Sequence, residues 1–185
     1  AATWTPLIMT PVLLNGGTGT NTLKVQDGSS IAAAVVINFP NLTFDATGVA
    51  GTNDVTMTAS QNQLFTGTIT AAGSGVNGEK ITIAGDGAIT TLANIENYSI
   101  GADSTNARTV TVANAGTSVT SSSASDAVTF NLGALTYTAT ITGETTVDDI
   151  LSLATGADMS SGTITYVEAL TLASGASVTL SAAQN

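Results

Sequence analysis

The residues of this chain that could do chemistry are nearly all carboxylates. Thirteen acidic residues stand against three basic ones, Lys24, Lys80 and Arg108, with no histidine and no cysteine. That inventory excludes Ser-His-Asp catalysis, thiol chemistry, disulfides and the usual zinc sites. Two carboxylates suffice for glycoside hydrolysis. Asp148 and Asp149 are adjacent, but neighbours along a helix do not face each other, so they suit the positive end of a helix dipole better than an acid–base pair. Asp27, Asp45, Asp54, Asp86 and Asp103 fall in or near turns containing Gly, Asn or Ser. Turn carboxylates and carbonyls are the hard oxygen donors that Ca²⁺ takes, although the same residues cap their own backbone without any metal. Asp27 and Asp54 are the calcium candidates of this set.

Other motifs read as structure. "GSGVNG" (residues 73–78) has the glycine spacing of a phosphate loop, but a dinucleotide site needs a helix next. The strand-like "EKITIA" follows, so a glycine-rich hairpin turn is expected. Asn41 and Asn97 begin glycosylation sequons that arise readily in a chain this rich in Thr and Ser, and both sit in or beside predicted strands. Trp4, Pro6 and Pro11 mark an apolar N-terminal segment that either packs on its own domain or donates a strand to a neighbour.

The elements that would position these residues are strands. Apolar residues alternate with Thr or small polar residues in "DVTMT" (54–58), "KITIA" (80–84), "RTVTVA" (108–113), "AVTFNL" (127–132), "LTYTATI" (135–141) and "SVTLS" (177–181). Period 2 places one face on a core and the other in water, and β-branched side chains fit that pleat. "TTVDDILSLA" (145–154) differs. Val147, Ile150, Leu151 and Ala154 have helical spacing, and Thr145 with Asp148 forms an acidic variant of the capping box. One short helix is expected there.

The phrase "VTMTASQN" (55–62) returns as "VTLSAAQN" (178–185). "VINFPNLTF" precedes the first copy and "ITYVEALTL" the second, with "LANIENYSI" as a degenerate third. Aligned, Leu42, Tyr98 and Leu170 correspond, as do Val55, Val110 and Val178. Recurrence of strand units implies stacked or serial β modules. The fold expected is all-β: serial antiparallel β-sandwich-like or irregular solenoid modules, with one short helix near 145–154. Residues 1–120 read as a β-repeat region and 121–185 as a hairpin, helix and terminal repeat, unless the whole is one continuous domain.

These strand pairs resemble the β repeats of bacterial surface proteins, the S-layer-like and RTX-related adhesins exported by type I secretion. "GGTGTNTLK" (16–24) is similar to one copy of that group's calcium-binding nonapeptide, with Asn21 at the pattern's Asp position. The resemblance implies a surface-layer, filament or adhesin role, often with bound Ca²⁺, and adds Asn21 to the calcium candidates.

The net charge of −10 with three cations cannot neutralise phosphates, so neither nucleic acid nor an anionic membrane surface is an expected partner. No stretch is apolar enough to span a bilayer. The function expected is therefore a structural protein that self-associates into a homopolymer at the cell surface or outside the cell, and not an enzyme. A virion component, such as a capsid decoration or tail protein, is the alternative. A module binding ice or carbohydrate through Thr ladders would need regular T-x-T rows, and the sequence offers only short ones at unequal spacing.

Overall fold

Thr-rich alternation becomes a β-solenoid in which every ladder is parallel. The computed structural model describes residues 11–45, 53–70, 78–101, 106–122 and 126–184. The chain winds over three sides in turn. The first carries β1 (Leu13–Asn15), β4 (Val35–Ile37), β9 (Ile89–Thr90), β11 (Arg108–Val112), β13 (Val128–Leu132), β15 (Ile150–Leu153) and β17 (Ala169–Leu172). The second carries β2 (Thr22–Gln26), β5 (Asn41–Asp45) and β7 (Ile69–Thr70), and further up only the bridges Thr136–Asp158–Thr179. The third is a seven-stranded sheet of β3 (Ser29–Ser30), β6 (Asn53–Thr58), β8 (Glu79–Ala84), β10 (Asn97–Ile100), β12 (Ser118–Ser121), β14 (Thr140–Thr142) and β16 (Thr163–Thr165).

The core is a set of columns. On the third side Val55, Ile81, Tyr98, Val119, Ile141 and Ile164 stack in register. On the first side Ile89, Val110, Phe130, Leu151 and Leu170 do the same. Each residue packs on its counterpart one coil away, at the strand spacing of about 4.8 Å. The coils differ in length. Val55 and Ile81, 26 residues apart, face each other, and so do Ile81 and Tyr98, 17 apart. Surplus residues bulge into turns and leave the column intact.

The all-β class and the irregular solenoid are as expected, while among the described residues every strand pairing is parallel and none is the antiparallel pairing of a sandwich. Alternation reports which face of a strand is buried but not its direction, so it could not separate the two. "EKITIA" is β8, and the strand before the glycine-rich stretch, β7, belongs to a different sheet, so the two do not form the expected hairpin; residues 71–77, with most of the glycine-rich stretch, lie outside the described residues, as do Trp4 and Pro6. The seven-stranded sheet crosses residue 120 without a break.

There is one short helix among the described residues, but it is α1 (Ala59–Asn62), inside "VTMTASQN". Residues 145–154 form a turn leading into β15, in which Leu151 and Leu153 point inward and pair with β13 and β17. Asp149 is fully buried with its carboxylate bound to backbone, which a helix surface would not allow. Long-range ladders override the local helical spacing. The repeat alignment also separates: Leu42 lies on the second side, Tyr98 on the third and Leu170 on the first. All three sides share one alternation, so a period-2 match does not identify a side.

Replacing Ile141, fully buried in mid-column, with alanine is expected to destabilise the protein by about 2–5 kcal/mol. Denaturant unfolding followed by circular dichroism measures it.

Candidate functional site

The polar side chains of the solenoid work chiefly between coils, and the octapeptide shows how. Thr58 caps α1: its Oγ1 accepts from the Gln61 N–H, and its own N–H donates to Gln61 Oε1 at 2.8 Å. Gln61 Nε2 then donates to the carbonyls of Ile31 and Ala34, both at 2.8 Å, one coil below. Asn62 reaches the other way. It is fully buried, donates to the Thr90 carbonyl at 2.9 Å and accepts from the Tyr98 hydroxyl at 2.9 Å. α1 thus takes the place on the first side between β4 and β9. Buried Tyr137 makes a similar tie, accepting from the Gly133 N–H and donating to the Val112 carbonyl. Burial raises the pKa of both tyrosines, so they remain hydroxyl donors.

The acids divide into interlocks of the same kind. Asp27 Oδ1 accepts the Asp54 N–H at 2.9 Å, and Asp54 pairs with Lys80 at 2.8 Å, so Asp27 and Asp54 are neighbours on successive coils. Asn21 is not with them. It sits at the far end of β2 from Asp27, roughly 15–20 Å along the strand, and its amide donates to the carbonyls of Gly17, Gly19 and Asn38. The three calcium candidates therefore do not converge: Asn21 presents a donor, and Asp54 already holds a cation. Among the described residues no three or more His, Cys, Asp or Glu gather as metal ligands. Asp86 accepts from Asn106, and Asp103 lies outside the described residues. Of the sequons, Asn41 is engaged with the Asn21 carbonyl and the Thr68 N–H, and Asn97 lies within β10.

Two carboxylate pairs were not visible as pairs in the sequence. Glu79 is buried at the start of β8, where it accepts from Asn53 at 3.2 Å and its N–H donates to Glu96 Oε2 at 2.9 Å. Burial, and then the hydrogen bond and charge of Glu96, raise the pKa of Glu79. Asp149 accepts the N–H groups of Val128 and Glu144, both at 2.6 Å, while its own N–H donates to Glu168 at 2.9 Å. Burial raises its pKa against those two donors. A Cβ on Gly143 would overlap the Tyr166 carbonyl and come 2.6 Å from Asp149 Oδ2, so the turn around this carboxylate requires glycine. The partners are 17 and 19 residues apart, one coil each. That spacing was the available signal, but it gains meaning only once the coil length is known. Arg108 is also buried, with Asp126 at 3.9 Å and no hydrogen-bond partner on its guanidinium.

Comparison with known proteins finds no matching family model, curated protein or solved structure.

Outside the core the register builds something the linear chain hides. Ser30, Thr56, Thr82, Ser99, Thr120, Thr142 and Thr165 fall in one outward column on the third side. Beside it run Ser118, Thr140 and Thr163, so the upper coils carry T-x-T or S-x-T rows in register.

Glu79 holds its proton more tightly folded than unfolded. Its contribution to stability is complete below the ordinary value of 4.5 and is lost as pH rises through the raised folded value. Glu79→Gln keeps the acceptor for Asn53 and offers Glu96 a permanent donor. The variant is expected to melt higher than the parent at pH 7–8 and to lose part of the parent's decline in Tm between pH 4 and 8, measured by thermal scans across that range.

Proposed function

We propose that this chain is a structural, self-assembling solenoid segment that acts at the cell surface or outside the cell. One observation carries the reading: the outermost described strands at either end of the stack present unpaired edges. Among the described residues β16 and β17 pair on one side only, as do β2 and β3 at the opposite end. Unpaired strand edges are templates for further strands, and native folds usually blunt them with charge, proline or a covering element. β17, "ALTL", carries no charge or proline and is exposed along its whole length. The strand-level resemblance to bacterial surface repeats, the lack of cysteine and the scarcity of charge support the same reading, as does the use of the buried acids in joining coils.

Filaments or sheets are expected as concentration rises. Salt should promote them, since a net charge of −10 repels like copies until it is screened. Electron microscopy and fibre diffraction test this, with a reflection near 4.8 Å along the filament expected from stacked coils. A monodisperse monomer at all concentrations and salts overturns the reading.

The hydroxyl column favours a second reading, in which the third side binds an ordered lattice such as ice or a crystalline polysaccharide. Thermal hysteresis, or co-sedimentation with insoluble polysaccharide, is the expected result; absence of both removes it.

A further inference from the structure

The C-terminal end of the solenoid is made like an internal joint. In the second copy of the octapeptide the Ser181 N–H donates to Gln184 Oε1 at 2.8 Å. Gln184 Nε2 donates to the carbonyls of Met159 and Gly162, at 3.0 and 2.9 Å. Those two carbonyls span a turn closed by the Gly162 N–H, as Ile31 and Ala34 span one closed by the Ala34 N–H. Gln184 therefore grips the coil below by the same device as Gln61. The internal copy also has a coil above it, and there the device is two-sided.

The core columns are unfinished at the same end. Leu151 and Leu153 are 3% and 1% exposed, whereas Leu170 and Leu172, directly above them in register, are 49% and 43% exposed. All four sit at inward positions of the column, and the upper pair lacks only a covering rung. A shallow apolar hollow continues the opening beside Ile164, Val167 and Leu180. The opposite end is the converse. Leu14 and Leu23 are the rungs directly below Val36 and Leu42, and they border hollows of about 520 and 460 Å³ that share Ile31. Among the described residues one end has no rung above it and the other none below, and each is built from the same aliphatic column that buries the interior.

We propose that the C-terminal face, formed by β16, β17 and residues 178–184, docks the N-terminal coil of a second copy as one more parallel rung, giving head-to-tail stacking. This rests on the self-assembling reading and adds its polarity and its contact face. The two surfaces differ, so the contact is heterologous and does not close on itself, which yields open filaments and not dimers.

The test uses the double variant Leu170→Lys/Leu172→Lys in the full chain, with circular dichroism and Tm confirming that it folds. Both positions are half open to water, so lysine stems can lie on the column while the charges reach solvent. Its own association is expected to be roughly a hundredfold or more weaker than the parent's. Its N-terminal end is intact, so mixed into the parent it should cap filaments and shorten them in proportion to the amount added. A folded variant that polymerises like the parent overturns the proposal, as does one that neither polymerises nor caps. If the parent never assembles, the broader reading fails and takes this one with it, so the two failures are distinguishable. If the double variant is unfolded, Leu170→Lys alone replaces it in the same capping measurement.

Discussion

Parallel stacking is the constraint on which everything else in this molecule rests. Each backbone N–H and C=O on a side bonds to the coil below or above, so a residue's neighbour is set by register and not by sequence distance. Like then packs on like: isoleucine over isoleucine inward, threonine over threonine outward. The arrangement tolerates coils of very different length provided the surplus leaves through a corner. It does not tolerate a corner whose polar groups go unanswered.

The corners explain the chain's unusual polar chemistry. A turn folded inward leaves carbonyls and N–H groups without water, at a cost of about 1–3 kcal/mol for each left unpaired. Gln61, Asn62, Gln184 and Tyr137 answer them from the next coil, Tyr98 answers the Leu92 N–H of its own coil while holding Asn62, and the carboxylates of Asp149, Glu96 and Glu168 answer N–H groups of the next coil. With thirteen acids and three bases, most carboxylates cannot find a cation, and Asp27, Glu96, Glu144, Asp149, Asp158 and Glu168 accept backbone hydrogens instead. Arg108 is the exception, a buried cation close to Asp126 without a hydrogen bond to it.

The pattern of Val, Ile and Thr made the strands legible, and the octapeptide pointed to a real structural device, though at two different corners of the solenoid. What could not be read was anything that depends on which strand lies over which. Asp27 and Asp54 were both recognised as turn acids, but their adjacency is a register fact, and so is the separation of Asn21 from them. The helix expected at 145–154 failed for the same reason. Val147, Ile150, Leu151 and Ala154 have a helix's local spacing, and only the ladders of β13 and β17 convert that stretch to a strand. Rows of hydroxyls emerged from segments of unequal spacing because turns absorb the inequality.

Among the described residues, between the coil of α1 and the one above it, only the third side keeps a continuous ladder, from β8 to β10. The first side crosses on Asn62 and Gln63, and the second on Asn94 to the Ile69 carbonyl. A rod made this way has a seam. Bending and torsion concentrate where two of three walls are bonded through side chains instead of a backbone ladder, and the intact wall acts as the hinge leaf. Under axial load the upper and lower blocks would part here before either one unravelled, so a single helical turn in place of a strand sets the compliance of the whole column.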